Sequence, residues 1–158
     1  MNERYGPIKE RFGADCLLGL PASVFTTYRA GGRADAVVKP SSREGLAWLR
    51  GFCLEKGIPF LALGAGSNIL VSDKGFKGVC ALTVKLDKLA VSGLTLVAQA
   101  GALWDNAVKT AIEAGLAGLE KTSGIPGTVG GAVFMNAGAF GQETFDSLES
   151  FEVMDRWG

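Results

Sequence analysis

The stretch Leu63-Gly64-Ala65-Gly66-Ser67-Asn68-Ile69-Leu70, which follows directly on the apolar run Phe60-Leu61-Ala62-Leu63, decides how this chain is read. Glycine behind a buried strand lets the backbone take positive φ and come close to a ligand, and successive N–H groups in such a turn form a concave anion site. A diphosphate is a natural occupant. An ordinary turn is the alternative, but it needs one or two glycines and not a hydroxyl and an amide immediately behind them. A doubly wound dinucleotide fold requires G-x-G-x-x-G after the first strand, opening a helix. Here the third glycine position is Ile69, the loop follows the second strand of its unit, and a further apolar stretch comes next. A P-loop is excluded because no Gly-Lys-Ser or Gly-Lys-Thr occurs.

Upstream of the loop, Ala34-Asp35-Ala36-Val37-Val38 reads as a strand, and Ser41 with Glu44 has the spacing of a capping box. Leu46, Leu49 and Cys53 then recur at helical spacing beside Trp48 and Phe52, with Gly57 and Pro59 as a stop, which predicts a helix over 43–56. Strand, helix and the strand at 60–63 make a crossover unit, expected to be right-handed and parallel. Downstream, the apolar stretches 69–71, 78–84 and 94–100 read as strands of a second sheet, joined by turns at Asp73-Lys74-Gly75 and Ser92-Gly93. Trp104, Ala107, Val108, Ala111 and Ile112 fall on one helical face that ends at Gly115. Residues 148–154 alternate as a half-buried strand before Asp155-Arg156-Trp157-Gly158, so a further segment is expected to follow.

A second glycine-rich loop runs Ser123-Gly124-Ile125-Pro126-Gly127-Thr128-Val129-Gly130-Gly131-Ala132 and on through Asn136-Ala137-Gly138-Ala139. So little side chain over one stretch points to another flat or extended object packing there. Pro126 sets a turn, and Thr128 is placed to cap a short helix whose first N–H groups face an anion. A solvated linker would not interleave Ile125, Val129, Val133, Phe134 and Met135 with the glycines. Ahead of the first strand, Thr27-Tyr28-Arg29-Ala30-Gly31-Gly32 offers an aromatic, a cation and paired glycines; Arg29 serves either a phosphate or the edge of a bound ring, or an exposed salt bridge.

Composition narrows the partners. A chain of 158 residues can bury a core without staples. Sixteen basic and sixteen acidic residues cancel, so no field draws in nucleic acid or anionic lipid, and neither is expected as partner. No apolar run approaches the roughly 20 residues of a membrane span, and the expected location is cytoplasmic. Cys16, Cys53 and Cys80 fit neither a disulfide set nor a zinc site and are expected as buried, unpaired thiols. Histidine is absent, so proton chemistry has to use Ser, Tyr, Lys or a carboxylate.

On these motifs the chain resembles the UDP-N-acetylenolpyruvoylglucosamine reductase (UDP-N-acetylmuramate dehydrogenase) family of bacterial cell-wall precursor synthesis. The carriers are Thr27-Tyr28-Arg29-Ala30-Gly31-Gly32-Arg33-Ala34-Asp35, the first glycine loop, Gly118-Leu119-Glu120, and Gly124 to Ala132 continuing through Met135-Asn136-Ala137-Gly138-Ala139. The resemblance covers nearly the whole chain from Thr26 onward. It implies an α+β fold, an FAD-binding module of the vanillyl-alcohol oxidase (PCMH) type, with two α+β subdomains and FAD between them. Applied to this sequence, it implies a lead-in over 1–25, a first subdomain over 26–84 and a second over 85–158.

By the same likeness Gly64, Ala65, Gly66, Ser67, Asn68 and Ile69 would wrap the diphosphate. Ile125, Pro126, Gly127, Gly130, Gly131, Asn136 and Gly138 would line the rest of the nucleotide. Gly66→Val is then expected to weaken FAD binding by putting a side chain where the diphosphate approaches. The resemblance also implies NADPH as reductant of FAD and a UDP-sugar as substrate, in peptidoglycan synthesis, with FAD performing the electron chemistry. The family's arginine in Tyr-Arg-x-Ser, its proton-donating serine and its late glutamate have no match here, and Tyr28-Arg29 belongs to a different motif. No catalytic residue is therefore assigned. The expectation is a fragment lacking a substrate domain and inactive alone, with two alternatives: the FAD domain of another PCMH-type oxidoreductase acting on an alcohol or purine, or a non-catalytic remnant.

Overall fold

The computed structural model describes residues 3–155 and Trp157; expectations placed on Met1, Arg156 and Gly158 lie outside them. The chain opens with helix α1 (Gly6–Phe12), then strand β1 (Cys16–Pro21) and strand β2 (Arg33–Val38). Helix α2 (Arg43–Glu55), strand β3 (Phe60–Leu63) and strand β4 (Phe76–Leu82) complete a four-stranded sheet ordered β1-β2-β4-β3. β1 runs antiparallel to β2, while β4 pairs parallel with both β2 and β3. The expected strand-helix-strand crossover is present, with β4 lying between its two strands. Residues 78–84, expected in a second sheet, divide instead: those up to Leu82 belong to β4 in the interior of the first sheet, and Thr83 and Val84 enter a short 3-10 turn. The physical reason is in their composition, since Val79 to Leu82 are all buried, as a strand covered on both faces requires.

The two faces of this sheet hold separate cores. On one, Ala36, Val38, Val79 and Ala81 pack with Leu49 and Cys53 of α2 and with Tyr5 and Ile8 of the amino-terminal segment. On the other, Val37, Cys80 and Leu82 alternate to meet Ala22, Phe25 and Ala34. Ala34 joins Val37 rather than Ala36 because the β2–β4 register shifts between Ala34 and Ala36. Leu49 and Cys53, one helical turn apart, are the fully buried residues of α2. The helix is capped by Ser42, whose Oγ accepts from the Gly45 amide at 3.0 Å, and not by Ser41 as the capping-box spacing had suggested.

The rest of the chain forms a second α+β unit. Strands β5 (Leu89–Ser92) and β6 (Thr95–Ala98) make a hairpin whose turn carries Gly93 at φ +60°. Helix α3 (Trp104–Glu113) and helix α4 (Val129–Met135) follow, then a small hairpin of β7 (Gly138–Ala139) and β8 (Gln142–Glu143). Trp104, Val108 and Ala132 form its core with Ile125, Val129 and Leu119 against them. Ile112, expected on the buried face of α3, is 52% exposed. Two expected strands do not form: residues 69–71 and 148–154 are irregular. Neither stretch has a partner strand to take up its backbone groups, and alternation alone cannot supply one. The three cysteines are free and buried, as expected. No helix among the described residues is long and apolar enough to cross a membrane.

Candidate functional site

β3 ends at Leu63, and the first glycine loop turns away from it under tight constraint. A Cβ on Gly64 would collide with the Thr128 side chain. Gly66 is buried at φ +68°, and a Cβ there would strike the Phe25 carbonyl. Gly66 is therefore glycine because the chain's own backbone comes close, which corrects the expectation that a side chain at this position would first meet a ligand. The carbonyls of this loop face Thr27: its N–H donates to the Gly66 carbonyl at 3.1 Å, and its Oγ1 lies 3.3 Å from the carbonyls of both Gly66 and Ser67. Thr27 is a supporting residue that sequence reasoning grouped with a motif without seeing its partner.

The amides of the same loop go elsewhere. Among the described residues, the N–H groups of Ala65, Gly66, Ser67 and Asn68 have no hydrogen-bond acceptor. Ala65, Gly66 and Ser67 are buried or half-buried, where backbone donors are nearly always paired, and Asn68 is exposed, so the run presents consecutive donors suited to an acceptor. The second loop reaches the same place. Gly127, at φ +136°, lies beside Ser67, an ideal Cβ on it falling 3.8 Å from Ser67 Oγ, and Thr128 packs against Gly64. The Gly127 and Thr128 amides also have no acceptor among the described residues. The structure thus brings residues 64–68 together with 127–128.

Other sequence-derived positions behave differently. Thr128 does cap α4, its Oγ1 accepting from the Gly131 amide at 3.4 Å. The first N–H groups of α4 nevertheless do not face outward to an anion: Val129 donates to the Ala102 carbonyl and Gly130 to the Ala100 carbonyl, each at 2.8 Å. Gly130 packs on Ala100 for that reason. Ile125 joins the core of the second unit, Pro126 is exposed, and Ile69 is half-buried. Asn136 holds the left-handed end of α4, with its side chain donating to Glu143 Oε2 at 2.6 Å and accepting from the Phe145 amide at 3.0 Å. Gly138 lies in β7, where a Cβ would press on Gln142 and Glu143. Asn136 and Gly138 thus make their contacts with the carboxy-terminal hairpin.

Two open depressions are present, and neither is lined by residues 64–68 or 127–128. One, of about 540 Å³, is lined by Ala30, Gly31 and residues 70–73, and the other, of about 500 Å³, by residues 138–143 and Asp146. Arg29 adjoins the first at φ +51°, an uncommon conformation for a residue with a side chain. Gly118-Leu119-Glu120 has a local explanation, because the Glu120 carboxylate accepts from the Gly118 amide at 3.0 and 3.1 Å. The carboxyl of Asp105 in the first turn of α3 is held below its ordinary range by the Lys109 ammonium and then by the Gly124 amide. Sequence reading missed Asp105, which carries no motif of its own.

Two α+β units that meet at glycine turns with unpaired amides present backbone donors of the kind that suits a phosphate-bearing cofactor. A model of the FAD binding domain matches residues 34–158, and the chain belongs to that family. The chain is 43% identical over 143 residues to a UDP-N-acetylenolpyruvoylglucosamine reductase of Caldicellulosiruptor bescii, covering 90% of this chain and 46% of the relative. It is 48% identical over 128 residues to the reductase of the same name from Rubrobacter xylanophilus, over 78% of this chain and 42% of the relative. The chain therefore spans less than half the length of these curated relatives. Among solved structures it resembles the UDP-N-acetylenolpyruvylglucosamine reductase of Thermus caldophilus, with TM-score 0.69 and 36% identity over 85% of this chain and 46% of that one. p-Cresol methylhydroxylase, at TM-score 0.54 and 15% identity over 73% of this chain and 26% of that one, shares the fold. The fold class is that of the PCMH-type FAD-binding module expected from sequence.

Proposed function

We propose that this chain is the FAD-binding part of a UDP-N-acetylenolpyruvoylglucosamine reductase. The observation that carries the reading is the set of unpaired amides at residues 65–68, packed beside those of Gly127 and Thr128. In this reading the amides of Ala65, Gly66, Ser67 and Asn68 donate to the diphosphate, and Ile69 closes that loop. Gly127 and Gly131 leave room for the nucleotide to lie close to the backbone, since neither is filled by the chain's own atoms within 3 Å of a Cβ. Ile125, Pro126, Gly130, Asn136 and Gly138 complete the lining, Gly130 and Asn136 by holding their loops in shape rather than by offering free donors. Recognition by backbone dipoles suits a chain of zero net charge.

Bound FAD supplies the hydride-transfer chemistry. The residues of this chain bind it and hold its phosphates against the end of β3, and none of them is assigned a proton-transfer role. The switch from the sheet cores to the Trp104 core supports a boundary between residues 84 and 85, while β1 and the core residues Tyr5, Ile8, Ala22 and Phe25 make the expected lead-in over 1–25 part of the first subdomain rather than a segment outside 26–84. Whole-enzyme properties belong to the same proposal: NADPH as reductant, a UDP-sugar substrate, peptidoglycan precursor synthesis and a cytoplasmic location. Adding FAD should turn the protein yellow and raise its melting temperature. A ligand at 100 times its Kd adds about 2.7 kcal/mol to the folded state. A colourless protein whose melting is indifferent to FAD would sink the proposal.

A further inference from the structure

The first turn of α3 grips the second glycine loop at three points. Trp104 Nε1 donates to the Thr122 carbonyl at 3.1 Å and lies 3.2 Å from its hydroxyl. The Trp104 backbone N–H donates to the Gly127 carbonyl at 3.0 Å. Between these, Asp105 Oδ1 accepts from the Gly124 amide at 3.2 Å and lies 3.4 Å from Ser123 Oγ. Trp104 is buried in the core of the second unit, so altering it would damage the fold. The Asp105 side chain is 41% exposed, and its other oxygen is engaged by Lys109 Nζ at 3.0 Å.

Little else holds the loop at this point. Gly124 sits at φ +83° with nothing within 4 Å of an ideal Cβ, so packing does not fix it. The neighbouring backbone bonds are long, Ser123 to Glu120 at 3.4 Å and Ile125 to Thr122 at 3.3 Å. A carboxylate accepting from an amide is worth more than either of these. We propose that Asp105 is a positioning residue for the flavin nucleotide, its Oδ1 fixing the Ser123-Gly124 turn so that Gly127 arrives beside the amides of residues 65–68. This inference rests on the FAD reading and adds to it a residue that touches the loop rather than the cofactor.

The test is an FAD titration of the full chain, followed by flavin fluorescence and the visible band, beside melting of the FAD-free protein. Asp105→Ala should raise the Kd for FAD about tenfold, as loss of a charge-assisted hydrogen bond would. Its FAD-free melting temperature should move by less than about 2 °C, as for a surface substitution. Asp105→Asn keeps an acceptor oxygen and should restore affinity to within about threefold of the unaltered chain, with the visible band restored too. Lys109→Ala should leave affinity within about twofold. Unchanged affinity in Asp105→Ala overturns the inference, as does an equal loss in Asp105→Asn or a loss of affinity matched by loss of FAD-free stability. An unaltered chain that takes up no FAD overturns the FAD reading as well, and that result is read from its titration alone.

Discussion

Residues 65–68 follow β3, which is a half-buried edge strand and not the buried strand expected from its apolar run, with consecutive amides that find no acceptor among the described residues, while residues 129–131, at the start of α4, give all their amides to the chain itself. Both stretches are rich in glycine, and composition treats them alike. The difference lies in what each glycine is for. Gly64, Gly66 and Gly130 are small because other parts of the protein press on them, whereas Gly124 has open space around its missing side chain. A glycine motif in this fold therefore mixes residues that build the cradle with residues that leave it clear, and substitution separates the two.

The largest effect should come from Gly66→Val. The new side chain would meet the Phe25 carbonyl in a left-handed backbone, and overpacking with conformational strain should destabilise the fold by about 3 kcal/mol. Chemical denaturation of the FAD-free protein measures it, and an unchanged midpoint would mean that the loop is not pressed against residue 25. Thr128→Ala should be milder, costing about 1 kcal/mol for loss of the α4 cap, with Thr128→Ser recovering most of it. Equal stability of Thr128→Ala and Thr128→Ser would show that the hydroxyl does not cap. Smaller again is Gly124→Ala, which has space but a positive φ, so melting should report a cost of about 1 kcal/mol or less from strain alone.

Alkali sharpens the contrast between the sheet cores and the loops. Burial pushes the Cys53 and Cys80 thiols up to about 11 from 9.0, and burial together with the Asp35 hydrogen bond pushes Tyr5 up to about 12 from 10.0. Each stays protonated in the fold after its unfolded counterpart has ionised. Their contribution is whole below about pH 9 and is lost as pH rises through the folded values. A melting temperature that falls steadily over this window is expected, and a flat profile would contradict the burial of these groups.

Much of this was legible in the sequence where the signal is local. The strand at 34–38, the helix that follows and the strand at 60–63 are set by periodicity, Gly57 and Pro59. Ser42 capped in place of Ser41 because both residues carry a hydroxyl, and only the backbone entering the helix selects between them. What was not legible is what depends on distant partners. Nothing near residues 76–82 says that they slip between β2 and β3, and the β1 strand has no local turn to announce its pairing with β2. Of the site, the two loops could be picked out by their glycines, but not which amides remain free. That depends on Ala100 and Ala102, whose carbonyls take the Gly130 and Val129 amides and lie far from the motif they serve.

The most direct test follows individual backbone amides by nuclear magnetic resonance as FAD is added to the isotopically labelled chain. The amide signals of Ala65, Gly66, Ser67 and Asn68 should shift most, with Gly127 and Thr128 beside them, while Val129 and Gly130 keep their existing bonds and move little. FAD that binds yet leaves residues 65–68 unmoved would contradict the claim that these main-chain donors receive its phosphates.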